Sequence, residues 1–308
     1  MNFQISTAKG LLQPTDLAQL PNEPFHVHYL DLTAQPNLAK SDVELIGQLR
    51  KLKTLSLSRT QVDDSSLPGI RQLTELEYLG LPQTRVTDAG LAALVGLRNL
   101  KTLSLAFNPF TDDGMEAVAN LTNLRTLELG ETKVGNDGLA KLKTLTQLEY
   151  IELGSAVTER GLDHLRGLPS LTGVSMRLPV VTDAVVTNLR KLSKLEHLRG
   201  VVASDADLER LKSLSHLKSL TFDLNRFTVS GLESLDAFPT LETLNLNGSV
   251  TVDDSYLVAV SKLKKLRQLF VDGTSVTPEG IAKFRELRPD VELRAGGRVY
   301  PATPSNPP

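Results

Sequence analysis

Aliphatic residues recur along the chain in one pattern, a spacing of three followed by a spacing of two. The segment that begins at Leu100, for example, continues with Leu103 and Leu105. A spacing of three alone fits either a helix or the approach to a strand, whereas a spacing of two turns alternate side chains to one face of a strand. Each such segment therefore predicts a short strand whose leucines point into a core.

The same LxxLxL segment returns along most of the chain at a step of 22 to 25 residues. A period of this size is typical of a solenoid, in which stacked neighbours bury the face that no single repeat could bury alone. The units begin at Val27, Leu52, Leu76, Leu100, Leu124, Leu148, Leu171, Leu195, Leu217, Leu241 and Leu266, and a truncated unit covers Val291 to Leu293.

The second half of each unit predicts a short helix on the far side of the leucine core. After the turn at Thr84 the chain reads Val-Thr-Asp-Ala-Gly-Leu, followed by leucines at helical spacing, and we expect the glycine to be a structural position in the first helical turn. A threonine directly before a helix can accept a hydrogen bond from an otherwise unpaired backbone N–H. We predict such N-caps at Thr87, Thr111, Thr158, Thr182, Thr228 and Thr277.

The consensus LxxLxLxxTxVTDxGLxxLxxL resembles that of bacterial leucine-rich-repeat proteins over roughly residues 25 to 293. It is also similar to the cysteine-containing repeat subclass of F-box proteins, although this chain has no cysteine. The resemblance implies an α/β fold, a leucine-rich-repeat solenoid or horseshoe with a concave parallel sheet and short convex helices. It further implies a concave face that binds partners, and it transfers no catalytic residue to this chain.

Three segments follow from the pattern. Residues 1–26 carry leucines that could cover the first repeat, so we expect them to form an N-terminal cap. Residues 27–293 are expected to form the solenoid. Residues 294–308 are expected to be a proline-rich flexible tail. Between Leu171 and Leu217 the pattern loosens, and Gly200 stands where a leucine is expected. This irregularity could change the local curvature or shape a pocket.

Composition narrows the possible partners and compartments. Aromatic residues make up 5% of the chain, which predicts a core almost entirely of Leu, Val and Ala. A net charge of −2 provides no electric field that would concentrate the protein on nucleic acid, so we expect no nucleic-acid partner. Charged residues interrupt every leucine run, so we expect no membrane insertion. No signal peptide is recognisable at the start, which favours a cytoplasmic location or delivery by another route.

The side chains between the leucines should project from the concave side of the sheet. The first lane consists of Tyr29, Thr54, Tyr78, Thr102, Thr126, Tyr150, Gly173, His197, Ser219, Thr243 and Gln268. The second lane consists of Asp31, Ser56, Gly80, Ser104, Glu128, Glu152, Ser175, Arg199, Thr221, Asn245 and Phe270. Rows farther along the strands add Phe107, Glu131, Arg177, Leu178, Asp223 and Asp272.

Two kinds of residue on this face are candidates for binding a partner. The aromatic candidates, Tyr78, Phe107, Tyr150 and Phe270, could anchor an interface, or their rings could lie flat and shield the sheet. The charged candidates form two groups, Glu128 with Glu131 and Glu152, and Arg177 with His197 and Arg199. The acids could receive a basic partner group and the cations could orient a partner, or all six could be ordinary solvated charges.

No arrangement typical of catalysis or metal binding is present. His26 and His28 have no third ligand nearby, the Asp pairs lack the oxygen series of a calcium loop, and no GxxxxGK[ST], GxSxG or HExxH occurs. We therefore expect no enzyme activity, no metal and no cofactor. The sequence predicts a module that binds a protein or peptide on its concave face, with a substrate-recognition domain of a secreted, ubiquitin-ligase-like effector as the alternative and an intrinsic hydrolase or transferase as a third.

Overall fold

The computed structural model describes residues 2–7, 10–12, 25–178, 181–233, 235 and 238–303. The chain divides into two compact units, Met1–Leu171 and Thr172–Pro308. Each unit is built of repeats in which a strand is followed by a turn and a helical segment, so the predicted α/β repeat architecture is confirmed.

In the first unit, strands β3 to β8 are parallel and follow one another in chain order, while β1 runs antiparallel to both β3 and β2. The strands are β1 Asn2–Thr7, β2 Gly10–Leu12, β3 His26–Asp31, β4 Thr54–Ser56, β5 Tyr78–Gly80, β6 Thr102–Ser104, β7 Thr126–Glu128 and β8 Tyr150–Glu152. The α-helices are α1 Lys40–Ile46, α2 Asp88–Leu91, α3 Met115–Val118, α4 Asn136–Lys141 and α5 Glu159–Leu165, and single 3₁₀ turns cover Leu67–Ile70, Ala92–Leu94 and Leu142–Thr144.

In the second unit, β9 to β14 are parallel and in chain order, and β15 pairs antiparallel with β14. The strands are β9 Gly173–Leu178, β10 His197–Ser204, β11 Ser219–Arg226, β12 Thr243–Asn245, β13 Gln268–Phe270, β14 Glu292–Ala295 and β15 Arg298–Tyr300. The helices are α6 Asp183–Arg190, α7 Asp205–Leu211, α8 Val229–Glu233, α9 Asp254–Val260 and α10 Pro278–Leu287.

The cores of the two units differ in composition. Strand leucines such as Leu55, Leu103 and Leu127 are fully buried in the first unit, as the repeat predicts. The expectation of a core almost without aromatic residues is wrong for the second unit, because phenylalanine takes the place of leucine at some core positions. Five aromatic side chains are buried there: Phe222, Phe227, Phe238, Tyr256 and Phe284.

Three of these aromatic residues form one cluster. The rings of Phe222 and Phe227 meet edge to face with their centroids 5.0 Å apart, an arrangement favoured by the charge distribution of aromatic rings. The Tyr256 hydroxyl donates a 2.8 Å hydrogen bond to the carbonyl of Phe227, so the one polar atom of the cluster is satisfied. Aromatic packing thus holds together two successive repeats of the second unit.

In the first unit, a threonine before a helix forms a hydrogen bond that the sequence did not predict. Thr87 lies at the N-cap of α2, but its side chain accepts no cap hydrogen bond. Its hydroxyl instead donates to one carboxylate oxygen of Asp64 at 2.6 Å, and its backbone N–H donates to the other at 2.7 Å. A carboxylate is a stronger acceptor than any neutral oxygen nearby, so the hydroxyl serves as a donor to the preceding repeat.

We call this contact the inter-repeat ladder, because the same bond recurs between successive repeats. Its further pairs are Asp88 with Thr111, Asp112 with Gly135, Asn136 with Thr158, Asp205 with Thr228 and Asp254 with Thr277. The N-cap prediction is therefore wrong for Thr87 and Thr158. The hydroxyl of Thr111 accepts a 3.3 Å hydrogen bond from the N–H of Asp113 as predicted, although the residue directly before α3 is Gly114. The prediction is confirmed for Thr182, Thr228 and Thr277, whose hydroxyls accept from the N–H groups of Val185, Gly231 and Gly280.

The ladder also explains the recurrent glycine of the Asp-x-Gly-Leu units. A Cβ atom at Gly138 would stand 2.5 Å from Oδ1 of Asp112 and 2.7 Å from a methyl group of Val134. No side chain fits into that space while Asp112 holds Gly135. The glycine is thus a structural position in the first helical turn, as expected.

The ends of the chain correct one expectation. The tail predicted from Arg294 onward is instead ordered as far as Thr303: β14 and β15 form a hairpin, and the N–H of Thr303 donates to the carbonyl of Pro289 at 2.7 Å. The physical reason is the Gly296-Gly297 pair, whose positive φ angles of 57° and 72° suit a two-residue hairpin turn. Residues 304–308 lie outside the described residues, as do residues 8, 9 and 13–24 of the predicted N-terminal cap.

Candidate binding face

The pairing register fixes which side chains share the face of the sheet opposite the leucine core, which we call the open face. In the first unit Thr54, Tyr78, Thr102, Thr126 and Tyr150 are paired in sequence, and so are Ser56, Gly80, Ser104, Glu128 and Glu152. In the second unit His197, Ser219, Thr243 and Gln268 are paired, and Arg199 stands opposite Ser175. Within each unit the first lane therefore has the register that the repeat predicts, whereas the second lane is interrupted after Arg199, where the pairing of β10 with β11 shifts.

Phe107 and Glu131 do not lie on strands, contrary to the sequence interpretation. They occupy the turns that follow β6 and β7, in the left-handed region, with φ angles of 58° and 55°. The equivalent residues of the two preceding repeats, Arg59 and Gln83, have φ angles of 58° and 53°, so the turn geometry belongs to the repeat. Its hydrogen bond runs from the N–H of Phe107 to the carbonyl of Gly130 at 2.8 Å.

Phe107 is the most exposed aromatic side chain among the described residues, with 56% of its surface accessible. A residue other than glycine in a left-handed conformation costs the fold about 1–2 kcal/mol. Glycine or asparagine would suit this turn better, so nothing in the fold itself explains a phenylalanine here. Phe107 is therefore a large aromatic side chain that the fold leaves more than half exposed.

Tyr78 fits the alternative in which a ring lies flat on the sheet. A Cβ atom at Gly80 would stand 3.0 Å from the Tyr78 hydroxyl oxygen and 3.2 Å from a ring carbon, so the ring lies along its own strand over that glycine. Burial, and then the negative charges of Glu128 and Asp31, raise the pKa of the Tyr78 hydroxyl above its ordinary value. Tyr78 thus shields β5 and places its hydroxyl close to acidic groups. Tyr150 is half-buried in the same lane.

Phe270 also has a partner within the fold. The guanidinium of Arg294, on the neighbouring strand β14, lies over its ring at 5.1 Å from the centroid. This cation–π contact covers part of the ring and leaves it half-buried. Sequence reasoning missed Arg294 because it assigned this residue to the tail.

The acidic group is brought together as predicted. Glu128 and Glu152 are directly paired on β7 and β8, and Glu131 follows in the turn after β7. A methyl group at Gly130 would overlap the carboxylate of Glu152, so this carboxylate leans over the backbone that joins Glu128 to Glu131. Sequence reasoning missed the role of Gly130, since only the fold shows which neighbour occupies the space above it.

A chain of hydroxyl groups was also missed. The hydroxyl of Thr33 donates to a carboxylate oxygen of Asp31 at 2.6 Å and lies 2.9 Å from the Ser56 hydroxyl, which lies 3.1 Å from that of Ser58. This network joins β3 to β4 on the open face of the first unit. It gives that face fixed polar groups beside the acidic ones.

The cationic group belongs to the second unit. Arg177 on β9 and His197 and Arg199 on β10 are all exposed and alternate with buried core residues, so they share the open face. The Nε2 atom of His197 is 3.9 Å from the carboxylate of Glu196. Just beyond, Gly200 adopts a φ of 76° at an irregularity in the pairing, where β10 and β11 extend to eight residues each.

The described residues contain no group of three or more His, Cys, Asp and Glu side chains placed to hold a metal ion. His28, one of the two histidines weighed in the sequence, has its Nδ1 atom 2.9 Å from the carbonyl of Lys51. Within the same described residues, no helix has the length and apolarity required to cross a bilayer.

Comparison with known proteins supports the repeat assignment. A family model described as a leucine-rich repeat region matches residues 11–258. A search of curated proteins found no match. Among solved structures the chain is similar to an internalin, InlF, from Listeria monocytogenes, at 19% identity over 86% of this chain and 79% of that one, with a TM-score of 0.51. It is also similar to internalin C2 of the same species, at 19% identity over 83% and 84%, with a TM-score of 0.39. The InlF likeness is one of fold.

Proposed function

The chain belongs to the leucine-rich repeat family, and on that premise we propose that it is a non-catalytic interaction module that binds a protein or peptide on the open face of its sheet. In the first unit the proposed contact residues are Tyr78, Phe107, Glu128, Glu131, Tyr150 and Glu152. In the second unit they are Arg177, His197, Arg199 and Phe270.

The observation that carries the proposal is the exposed ring of Phe107. A large aromatic side chain in water costs solvation free energy, and its left-handed backbone adds strain. A ring that the fold does not bury is stabilised when a partner covers it, and aromatic anchors of this kind dominate the energetics of many interfaces.

The rigidity of the first unit also supports binding. Strands β4 to β8 are paired in unbroken register, and the inter-repeat ladder joins successive repeats from Asp64 onward. A preformed surface loses little conformational entropy when it binds, so more of the contact energy remains as affinity. The alternative, a recognition domain that serves an effector enzyme, stays a prediction and would use the same face.

The test is Phe107→Gly, compared with Gln83→Gly as the matched control one repeat earlier. Both residues are exposed and left-handed, with φ angles of 58° and 53°, so glycine relieves the same backbone strain at both sites. A photo-cross-linking amino acid at position 150, on the open face, would trap the partner in cells. We expect Phe107→Gly to weaken capture about tenfold or more and Gln83→Gly to leave it unchanged.

Two results would contradict the proposal. One is equal capture by the two glycine variants. The other is a cross-linker at position 116, on helix α3, that traps the same partner as efficiently as one at position 150. Circular dichroism of each variant establishes that the comparison is made on folded protein.

A further inference from the structure

We infer, on the premise of the proposed function, that the partner of the first unit presents a proline-rich extended segment whose backbone carbonyl groups accept hydrogen bonds from the hydroxyls of Ser104 and Tyr78. This assigns a chemical class of partner to the middle of the open face. The segment lies across β5 and β6 and extends to Phe107 in the turn that follows.

Ser104 carries a buried hydroxyl group that the fold does not use. It lies in β6 between Leu103 and Leu105, which point into the core, so its own side chain points to the open face. Ser104 is 2% exposed, and its hydroxyl forms no hydrogen bond with any described residue. By contrast, the buried hydroxyl of Thr132 in the next repeat donates to the carbonyl of Leu129 at 2.7 Å. A buried polar group without a partner is unfavourable, so an acceptor brought by a ligand would stabilise Ser104.

A second hydroxyl without a partner lies beside it. Gly80 is directly paired with Ser104, and the Tyr78 hydroxyl oxygen lies 3.0 Å from the place where a Cβ atom of Gly80 would stand. The Tyr78 hydroxyl also forms no hydrogen bond with a described residue. Paired positions of neighbouring strands are about 4.8 Å apart, so one peptide backbone can reach both hydroxyls. On the preceding strand the hydroxyls of Ser56 and Ser58 lie 3.1 Å apart and satisfy each other.

The surroundings of these two hydroxyls select a small and neutral acceptor. Glu128 is directly paired with Ser104 on its other side. After burial, the negative charges of Glu128 and Asp31 are the causes that raise the pKa of the Tyr78 hydroxyl, so both carboxylates act at this place. They disfavour a carboxylate or a phosphate as the ligand. So little of Ser104 is exposed that a single carbonyl oxygen suits it better than a branched acceptor.

The adjoining surface suits a segment rich in proline. Pro82 is half-buried two positions beyond Gly80, and Phe107 follows Ser104 by three residues. Polyproline II segments form no internal hydrogen bonds, so their carbonyl groups are free, and they dock on surfaces lined by aromatic rings such as those of Tyr78 and Phe107. Each proline also lacks an N–H, so it adds no donor to a site that already has two unpaired donors.

The test uses the full-length protein and two neutral fluorescein-labelled peptides of equal length, one of repeated Pro-Pro-Ala units and one of repeated Gly-Ser-Ala units. Binding is followed by fluorescence anisotropy, and we expect the proline-rich peptide to bind and the other not to bind. Ser104→Ala and Tyr78→Phe each remove one hydroxyl and keep the rest of the surface. Each should raise the dissociation constant of the proline-rich peptide about fivefold, and the two together about twentyfold.

Matched controls remove the same chemical groups elsewhere. Ser56→Ala changes the same lane two repeats earlier, and Tyr300→Phe removes a phenol hydroxyl from the second unit. Both should leave the dissociation constant within about twofold of the original. Stability provides a second measurement: Ser104→Ala removes a buried polar group without a partner, so it should raise the melting temperature by about 1–3 °C.

The inference is overturned if Ser56→Ala weakens binding as much as Ser104→Ala, or if the Gly-Ser-Ala peptide binds equally well. Failure of the proline-rich peptide to bind overturns it too. A lower melting temperature in Ser104→Ala would do the same, because the hydroxyl would then have a partner inside the fold.

The proposed function can fail independently. Should Phe107→Gly lose the partner trapped in cells while the variant with both Ser104→Ala and Tyr78→Phe keeps it, the interaction face stands and the proline-rich partner is wrong. Should both proteins keep that partner, the interaction face itself is wrong.

Discussion

The two units join the same kind of repeat in different ways. In the first unit four successive acidic or amide side chains, Asp64, Asp88, Asp112 and Asn136, each bind the next repeat, and strands β4 to β8 have three residues each. In the described part of the second unit the ladder bonds are those of Asp205 and Asp254, which do not lie in adjacent repeats. Strands β9 to β11 have six to eight residues, and aromatic rings pack between repeats. The difference shows that longer strand pairing and aromatic burial can replace a polar contact between repeats.

The largest expected effect concerns the aromatic cluster of the second unit. Phe222→Ala removes a ring that is 1% exposed and packs on Phe227, and it should lower the free energy of unfolding by about 3–5 kcal/mol. Urea unfolding followed by circular dichroism measures the change. A loss under about 1 kcal/mol would mean that the cluster does not replace the ladder.

The next effect concerns the bulge at Gly200. An alanine there would adopt a φ of 76° and place its Cβ atom 2.7 Å from the carbonyl oxygen of Met176, so we expect a loss of about 2–3 kcal/mol. Gly248→Ala has nearly the same φ of 75° and nothing within 4 Å, so it should lose only about 1–2 kcal/mol. Equal losses in the two variants would show that the close approach of β9 to β10 adds nothing.

The ladder itself is tested by two aspartates that both begin helices. Asp88→Ala removes hydrogen bonds of 3.0 Å and 2.6 Å to Thr111 and should cost about 1–3 kcal/mol. Asp183→Ala removes a side chain that is 91% exposed and that, among the described residues, forms an ion pair with Arg210 at the surface, so its cost should stay below about 0.5 kcal/mol. Similar losses of stability in the two variants would contradict the difference between the two units in how their repeats are joined.

The smallest effect is the part of the pH dependence that Asp290 of the second unit contributes. Arg288 donates two 2.9 Å hydrogen bonds to Asp290, and these bonds hold the pKa of Asp290 below its ordinary value of 3.8. A carboxyl whose pKa is lower in the folded state contributes stability above its unfolded pKa and loses it as the pH falls through the folded value. Asp290→Asn should therefore flatten the fall of the melting temperature below about pH 4. An unchanged slope would contradict this role.

Much of the fold follows from the sequence because each LxxLxL segment fixes which side chains face the core. The same alternation placed Glu128 opposite Glu152 and Thr54 opposite Tyr78. The ladder could not be predicted, because the role of the Thr87 hydroxyl depends on Asp64, 23 residues away in sequence. Local capping preferences describe a helix start but not the neighbouring repeat that covers it.

The strand pairing of most residues on the open face followed from the sequence, but the backbone of the turns did not. Phe107 was assigned to a strand because the alternation was extended past the turn, where the backbone becomes left-handed. Two features of the fold that were missed do have a signal in the sequence. The Gly296-Gly297 pair indicates the hairpin of β14 and β15, and Phe222, a member of the aromatic cluster, stands where the repeat frame expects a leucine. The space that Gly130 leaves for Glu152 has no such signal, since it depends on how one side chain leans across two strands.

The ladder of the first unit has a consequence for how such a chain can change in length. Each rung joins adjacent repeats, so a duplicated block of 24 residues, such as residues 88–111, would contain both Asp88 and its donor Thr111 and would add one complete rung. Gain or loss of whole repeats then leaves every local bond intact while it adds or removes one row of surface side chains. Copy number in this unit can therefore vary during evolution at little cost in folding.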